Sequence, residues 1–267
     1  MSKVRRIILS RKGFDSKAGG GPSLILKDRR IFSIPIPQSY PSPSKYKDLI
    51  FDGVKMTDLL SMTSTYVNKN DYCHFDPYLN KGTGIFGQAG SSQSELNNNR
   101  VLSGDLFLFF GWFKDLRNKK NIHHLFGWLQ IDLIIKSTKK IKEYLSKKNI
   151  QHPHGYKNVS RYKNNTLYIA KKNLEIENFI LSKKGHGLFK KTHRELILSE
   201  FNMSRSRWKF PKKYFINTSN IFLNRLKWDD EMNCRTFYKG FGQEFILNAE
   251  DNPTIVVWAK NLIEKHG

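Results

Sequence analysis

Two aromatic-rich apolar runs sit close together near the middle of the chain, and they limit its fold more than any other feature. The first is Asp105-Leu106-Phe107-Leu108-Phe109-Phe110-Gly111-Trp112-Phe113, preceded by a turn-like Ser103-Gly104. The second is His124-Leu125-Phe126-Gly127-Trp128-Leu129-Gln130-Ile131-Asp132-Leu133-Ile134-Ile135. Runs of this composition, joined by a polar loop from Lys114 to Asn121, read as an antiparallel hairpin. A glycine inside each run predicts a bulge or a close backbone approach. Strand alternation sets Trp112 on the face of Leu106, Leu108 and Phe110, so most of the hairpin reads as core.

Further strands are expected at Val4–Ser10, Thr166–Ala170 and Glu244–Leu247, with a basic helix over Ser137–Lys148 and an amphipathic one over Thr254–Lys265. Prolines at 35, 37, 41 and 43 mark an extended loop. These elements predict an α+β fold: a mixed, mainly antiparallel sheet with flanking helices. One domain over residues 1–267 is the simplest organisation, with a division near residue 140 left open.

Lys and Arg number 46 against 23 Asp and Glu, a formal charge of +23. Such a field attracts polyanions, and nucleic acid or nucleotide is the partner it favours. Lys/Asn-rich stretches such as Lys139-Lys140-Ile141-Lys142 are also what AT-rich coding places on any surface. Two cysteines far apart, Cys73 and Cys234, form no disulfide framework and no paired metal motif, as expected of a cytoplasmic protein. The apolar run near the N-terminus is only Ile7-Ile8-Leu9, and no run reaches the ~18 residues of a membrane span.

Six segments carry candidate chemistry. After the first strand, Arg11, Lys12 and Asp15 precede Gly19-Gly20-Gly21, a loop whose N–H groups and cations suit a phosphate. It matches neither a Walker A nor a Rossmann fingerprint. His74 and Asp76, two apart in an extended segment, share a face and suit acid–base work or metal ligation. Phe86-Gly87-Gln88-Ala89-Gly90-Ser91-Ser92-Gln93 offers hydroxyls and amides suited to a base edge or phosphate, and Ser92 with Glu95 forms a capping-box pattern. His152-Pro153-His154 could contribute to a metal site but has no third ligand at short spacing, so no metal set is assigned. Ser204-Arg205-Ser206-Arg207-Trp208 combines phosphate-binding cations with a stacking ring, and Gln243 with Glu244 adds an amide and a carboxylate.

Taken in order, the chain resembles the nucleotide modification associated domain family, third type. The matching stretches are Ser10–Asp15 with Gly19-Gly20, Phe86–Gly90, Gly104–Phe113, Phe126–Gln130, Thr166–Ala170, Ser204–Trp208 and Gly242–Phe245. The Lys/Asn-rich insertions depart from the pattern. The resemblance implies a part in bacterial or phage systems that modify DNA bases or act on modified ones. The aromatic hairpin is also similar to the barrel hairpin of PUA and EVE modules, which implies a partly closed sheet and a reader of modified nucleic acid. Two hypotheses follow. In an enzyme, Asp15, His74 and Asp76 are the acid–base groups. Arg11, Lys12, Gly19, Gly20, Gln88, Ser91, Gln93, Gln130, Arg205, Arg207, Trp208, Gln243 and Glu244 then hold substrate. In a non-catalytic reader, Trp112 and Trp128 wall a base pocket, with Arg205, Arg207 and Trp208 on the nucleic-acid backbone. A third option is an interaction subunit working with other modification-system proteins.

Overall fold

A computed structural model describes residues 3–79, 82–156, 162–176, 179–216, 219–240 and 242–267. Nine strands form the main sheet: β1 (Arg6–Arg11), β2 (Ser23–Ile25), β3 (Ile31–Phe32), β4 (Ile85–Gln88), β5 (Leu106–Asp115), β6 (Lys120–Ile135), β7 (Thr166–Ala170), β8 (His186–Leu188) and β9 (Glu244–Asn248). Their spatial order is β9-β1-β5-β6-β7-β4, with β2 on β5, β3 on β2 and β8 on β6. β1 and β2 each run parallel to β5; the other neighbours are antiparallel. This is the expected α+β class, and the sheet curls into a half-barrel. Strands from both sides of residue 140 share it.

The curl follows from β6, which is 16 residues long and serves three partners, β5, β7 and β8. Its pairing with β5 shifts where Phe109 faces Gly127 and Phe110 faces Leu125, so Phe126 is the extra residue. A second shift lies between Ile131 and Leu133, against β7. Each extra residue bends the strand and increases its twist. The glycine expected to mark a bulge in this strand, Gly127, is next to one. The hairpin loop is tighter than the sequence predicts: Asp115 pairs with Lys120, leaving only residues 116–119 in the turn.

Alternation sorts the β5 side chains onto two faces. Leu106, Leu108 and Phe110 join Trp128, Trp208 and Phe245 in one buried cluster. This cluster is covered by α4 (Pro253–His266) through Ile255, Trp258, Ala259 and Leu262. Phe107, Phe109 and Phe113 join Phe86, Phe126 and Tyr168 on the opposite face, with Leu96 of α2 (Gly90–Asn98). Between them, α3 (Thr138–Lys147) packs Ile141 and Leu145 onto Ile85, Leu167 and Ile169. Residues 14–75 build their own apolar cluster, with Phe14, Tyr46 and Leu59 at 0–1 % exposure. The cluster includes α1 (Met56–Ser61). Among the described residues no helix is long and apolar enough to cross a membrane.

The Ser92–Glu95 capping box does not form. α2 begins two residues earlier, at Gly90, with Ala89 as N-cap, so Ser92 lies inside the helix. Its hydroxyl approaches Gln243 Oε1 at 3.5 Å, and Glu95 pairs with Arg225 at 3.0 Å.

Candidate functional site

Six separate segments meet around a cavity of about 360 Å³. Arg11, Lys12 and Asp15 enter from the end of β1 and its following loop, and Gln38 and Tyr40 from the proline-rich stretch. His74 ends the short strand Tyr72–His74, which pairs with Ile36–Gln38, and Asp76 follows it. Gly87 and Gln88 come from β4, His154 and Tyr162 from the chain before β7, and Gln243 from the chain before β9. The β4–β7 pairing, with Gly87 opposite Leu167 and Gln88 opposite Thr166, brings the histidine-bearing segment beside Asp76.

Asp76 is the centre of the buried end. Its Oδ1 receives His152 Nε2 at 3.1 Å, and Gly87 N–H donates at 3.1 Å to both carboxylate oxygens. Its Oδ2 lies 3.7 Å from His74 Nε2 and 3.8 Å from His154 Nε2. Burial alone would raise this carboxyl. Interaction with His152 outweighs burial, helped by His74 and His154, and holds Asp76 well below the usual carboxylate range. Burial in turn pushes His154 down to about 3, against the pull of Asp76. Outside this ring of imidazoles, His74 Nδ1 meets Gln38 Oε1 at 2.9 Å, and His154 Nδ1 meets Asn165 Oδ1 at 2.6 Å. Tyr162 and Tyr40 share a 2.9 Å hydroxyl contact beside His74.

The opposite wall is charge-balanced. Lys12 Nζ lies 3.0 Å from Glu244 Oε1, which also accepts from Ser10 Oγ at 3.1 Å and Gln88 Nε2 at 2.6 Å. Lys12 further sits 4.8 Å from the centre of the Phe86 ring. Arg11 reaches Asp15 at 3.5 Å. Each cation therefore faces a carboxylate, and three amide side chains, Gln38, Gln88 and Gln243, supply donors and acceptors. Such a wall suits a neutral hydrogen-bonding edge, with anion attraction confined to the Arg11 rim.

Of the residues singled out from sequence, Arg11, Lys12, Asp15, His74, Asp76, Gln88 and Gln243 line this cavity. Glu244 stands directly behind Lys12 and Gln88. The glycine loop is folded as a turn about Asp15 instead of an open cradle. Gly19 N–H donates to Tyr66 Oη at 3.0 Å and Gly20 N–H to Asp15 O at 3.0 Å, so these donors are engaged within the protein. Gly19 adopts φ +104° against the Phe14 ring, a conformation that favours glycine. Ser91 is exposed on the first turn of α2. Gln93 is buried, accepting from Tyr168 Oη and donating to Asn97. Gln130 is buried too, bracing the chain at Gly104 and Glu175 through three hydrogen bonds.

Three others stand on a separate three-stranded sheet or beside it. Trp208 is fully buried and its Nε1 donates to His123 Nδ1 at 2.9 Å. Arg207 pairs with Asp229, and Arg205 lies 4.2 Å over the Trp112 ring on the outside of the hairpin. Trp128 is in the core, donating to Lys184 O at 3.1 Å, so Trp112 and Trp128 do not wall one pocket. His152, Gln38, Tyr40, Tyr162 and Asn165 carry site contacts that sequence reasoning did not assign. The pair His152 and His154 was visible as a motif, but its partner Asp76 is 76 residues from His152.

No curated protein and no solved structure matches the chain significantly. A family model described as nucleotide modification associated domain 3 matches residues 6–248, a span that includes every strand of the main sheet and the whole cavity lining. The chain therefore belongs to the nucleotide modification associated domain 3 family.

Proposed function

We propose that this chain binds a nucleotide, or a base in DNA, in the 360 Å³ cavity and acts on it at the Asp76 end, as one component of a base-modification system. The observation that carries this reading is the convergence of six segments. They bring a buried ionised carboxylate with its imidazoles together with three amide side chains, within one cavity. Its volume falls in the ~300–1,000 Å³ range of small-molecule sites. The family assignment supports the class of substrate. A carboxylate held ionised at 2 % exposure is costly, and binding alone has no need of it; perturbed groups of this kind gather where chemistry is done. The amides would read a base edge, the Arg11 rim would take phosphate, and Asp76 with His74 would form the reactive end.

The test is calorimetric titration with free nucleotides and matched duplexes, with and without modified bases, at two salt concentrations. Mass spectrometry of the recovered nucleotides follows. We expect saturable binding weakened at least ~10-fold by Gln38→Ala or Arg11→Ala, and a mass change that Asp76→Asn abolishes while binding persists. Binding indifferent to Gln38 and Arg11 would refute the cavity as the site. A mass change unaltered in Asp76→Asn would refute its reactive end. Steep loss of duplex binding with salt would identify a polynucleotide substrate over a free nucleotide.

A further inference from the structure

We propose that His74, Asp76 and His154 form a mononuclear site for a divalent transition-metal ion, open toward the cavity. The ligand atoms of these three residues all lie within 4.8 Å of one another. The outer nitrogens of both imidazoles are engaged by amide side chains. Asn165 Nδ2 donates to His154 O at 2.9 Å, so Asn165 Oδ1 is an acceptor and takes the proton of His154 Nδ1 at 2.6 Å. His74 Nδ1 meets Gln38 Oε1 at 2.9 Å and Tyr162 Oη at 3.4 Å. Both Nε2 atoms face Asp76 Oδ2, at 3.7 and 3.8 Å. With both imidazoles neutral and protonated at Nδ1, two Nε2 lone pairs and Oδ2 converge with no proton between them. A cation among them turns this repulsion into coordination.

His152 is in the other tautomer. Its Nδ1 accepts from His154 N–H at 3.3 Å, so Nε2 carries the proton that Asp76 Oδ1 receives at 3.1 Å. With Gly87 N–H, which bridges both oxygens, this orients the carboxylate and leaves a second lone pair of Oδ2 for the ion, as outer-shell groups do around metal ligands. The spacing fits as well. Tetrahedral ligands at 2.0–2.1 Å from an ion stand about 3.4 Å apart. The two measured edges need to contract by only a few tenths of an ångström. Two imidazoles and one carboxylate suit zinc, iron or related ions, whereas magnesium and calcium prefer oxygen donors. Three protein ligands leave positions open on the cavity side, where His74, Asp76 and His154 are lining residues. The proposal shares the cavity of the nucleotide reading but does not depend on a nucleotide.

A second group among the described residues, His193, Glu195 and His266, lacks this conflict. Glu195 Oε2 already accepts from His266 Nε2 at 2.8 Å, and His193 Nδ1 accepts Glu195 N–H at 3.3 Å. It serves as the control. The experiment is titration of chelator-treated protein with Co²⁺, followed by visible absorption, and with Zn²⁺, followed by calorimetry. We expect one tight ion per chain with the Co²⁺ bands of a histidine-containing site. His74→Gln and Asp76→Asn should each weaken it more than ~100-fold, and His152→Gln by ~10–100-fold as an outer-shell change. His193→Gln should leave it unchanged. His74 lies at the rim, so His74→Gln keeps the test valid if a buried variant misfolds, as circular dichroism would show. Absence of tight binding in the wild type, or binding lost in His193→Gln and kept in His74→Gln, would overturn the proposal. Nucleotide titration of the metal-free protein is a separate readout, so the two readings can fail independently.

Discussion

Replacing Lys12 by Met tests whether the cavity wall is a true buried ion pair. The Glu244 side chain is wholly buried and that of Lys12 only 11 % exposed, and they meet at 3.0 Å. Removing one member of a buried pair leaves an uncompensated charge, at a cost of about 3–5 kcal/mol. Glu244 Oε1 keeps its hydrogen bonds from Ser10 and Gln88, which lowers the expected cost. Its Oε2 has no hydrogen-bond partner among the described residues, which prevents the cost from vanishing. We expect about 3 kcal/mol, or a fall in Tm of roughly 6–12 °C at ~2–4 °C per kcal/mol for a chain of this size. The assay is urea unfolding at pH 7 on Lys12→Met, Glu244→Gln and the double variant, provided the m-value is unchanged. The double variant should recover to within about 1 kcal/mol of wild type, giving a coupling energy above about 2 kcal/mol. A single variant within 1 kcal/mol of wild type, or a double variant equal to the sum of the singles, would refute the buried-pair argument.

Gly87→Ala would place a Cβ 2.2 Å from His154 Cδ2 and 2.7 Å from Nε2, and the Asn165 contact prevents the ring from retreating. We expect a loss of about 1–3 kcal/mol in chemical denaturation together with lost ligand binding; wild-type values for both would contradict the packing. Trp208→Phe should cost about 1–3 kcal/mol by stranding His123 Nδ1 in the core, yet leave nucleotide affinity unchanged, and a marked fall in affinity would return Trp208 to the binding surface. Acid should destabilise the fold well above the carboxylate range. Burial lowers His123 to about 3 and His124 to about 4, both beneath the ordinary 6.5. The unfolded chain therefore takes up these protons first: the stability is complete above pH 6.5 and declines as pH falls toward 4 and 3. Two such protons give a slope of up to about 2.7 kcal/mol per pH unit. A stability curve flat from pH 7 to pH 5 would show that these imidazoles are not buried as neutral groups.

The parts of the fold that could be read from sequence are those decided within a single segment. Thr166–Ala170 is the strand expected, residue for residue, because its pattern and its flanks are local. The two helices outside the site, α3 and α4, match their expected spans to within one residue at each end. The capping box at Ser92 failed for a local reason of another kind. Gly90 at φ +64° begins the helix earlier, and the hydroxyl found a partner in Gln243, 151 residues away.

The site divides along the same line. Arg11, Lys12, His74, Asp76 and Gln88 were legible because each sits where a strand ends in a polar loop, and strand ends converge at one rim of a curled sheet. Trp208 and Gln93 were not, because an aromatic among cations and an amide beside glycine look the same whether they face solvent or core. Only the partner decides: His123 for Trp208, Tyr168 for Gln93. The imidazole pair shows the limit most clearly. A histidine doublet predicts a ligand set only if its third member is near in sequence, and here the carboxylate arrives through the pairing of β4 with β7. Both imidazoles turn Nε2 toward that carboxylate, His152 to Oδ1 at 3.1 Å and His154 to Oδ2 at 3.8 Å, a convergence that no spacing in the chain announces.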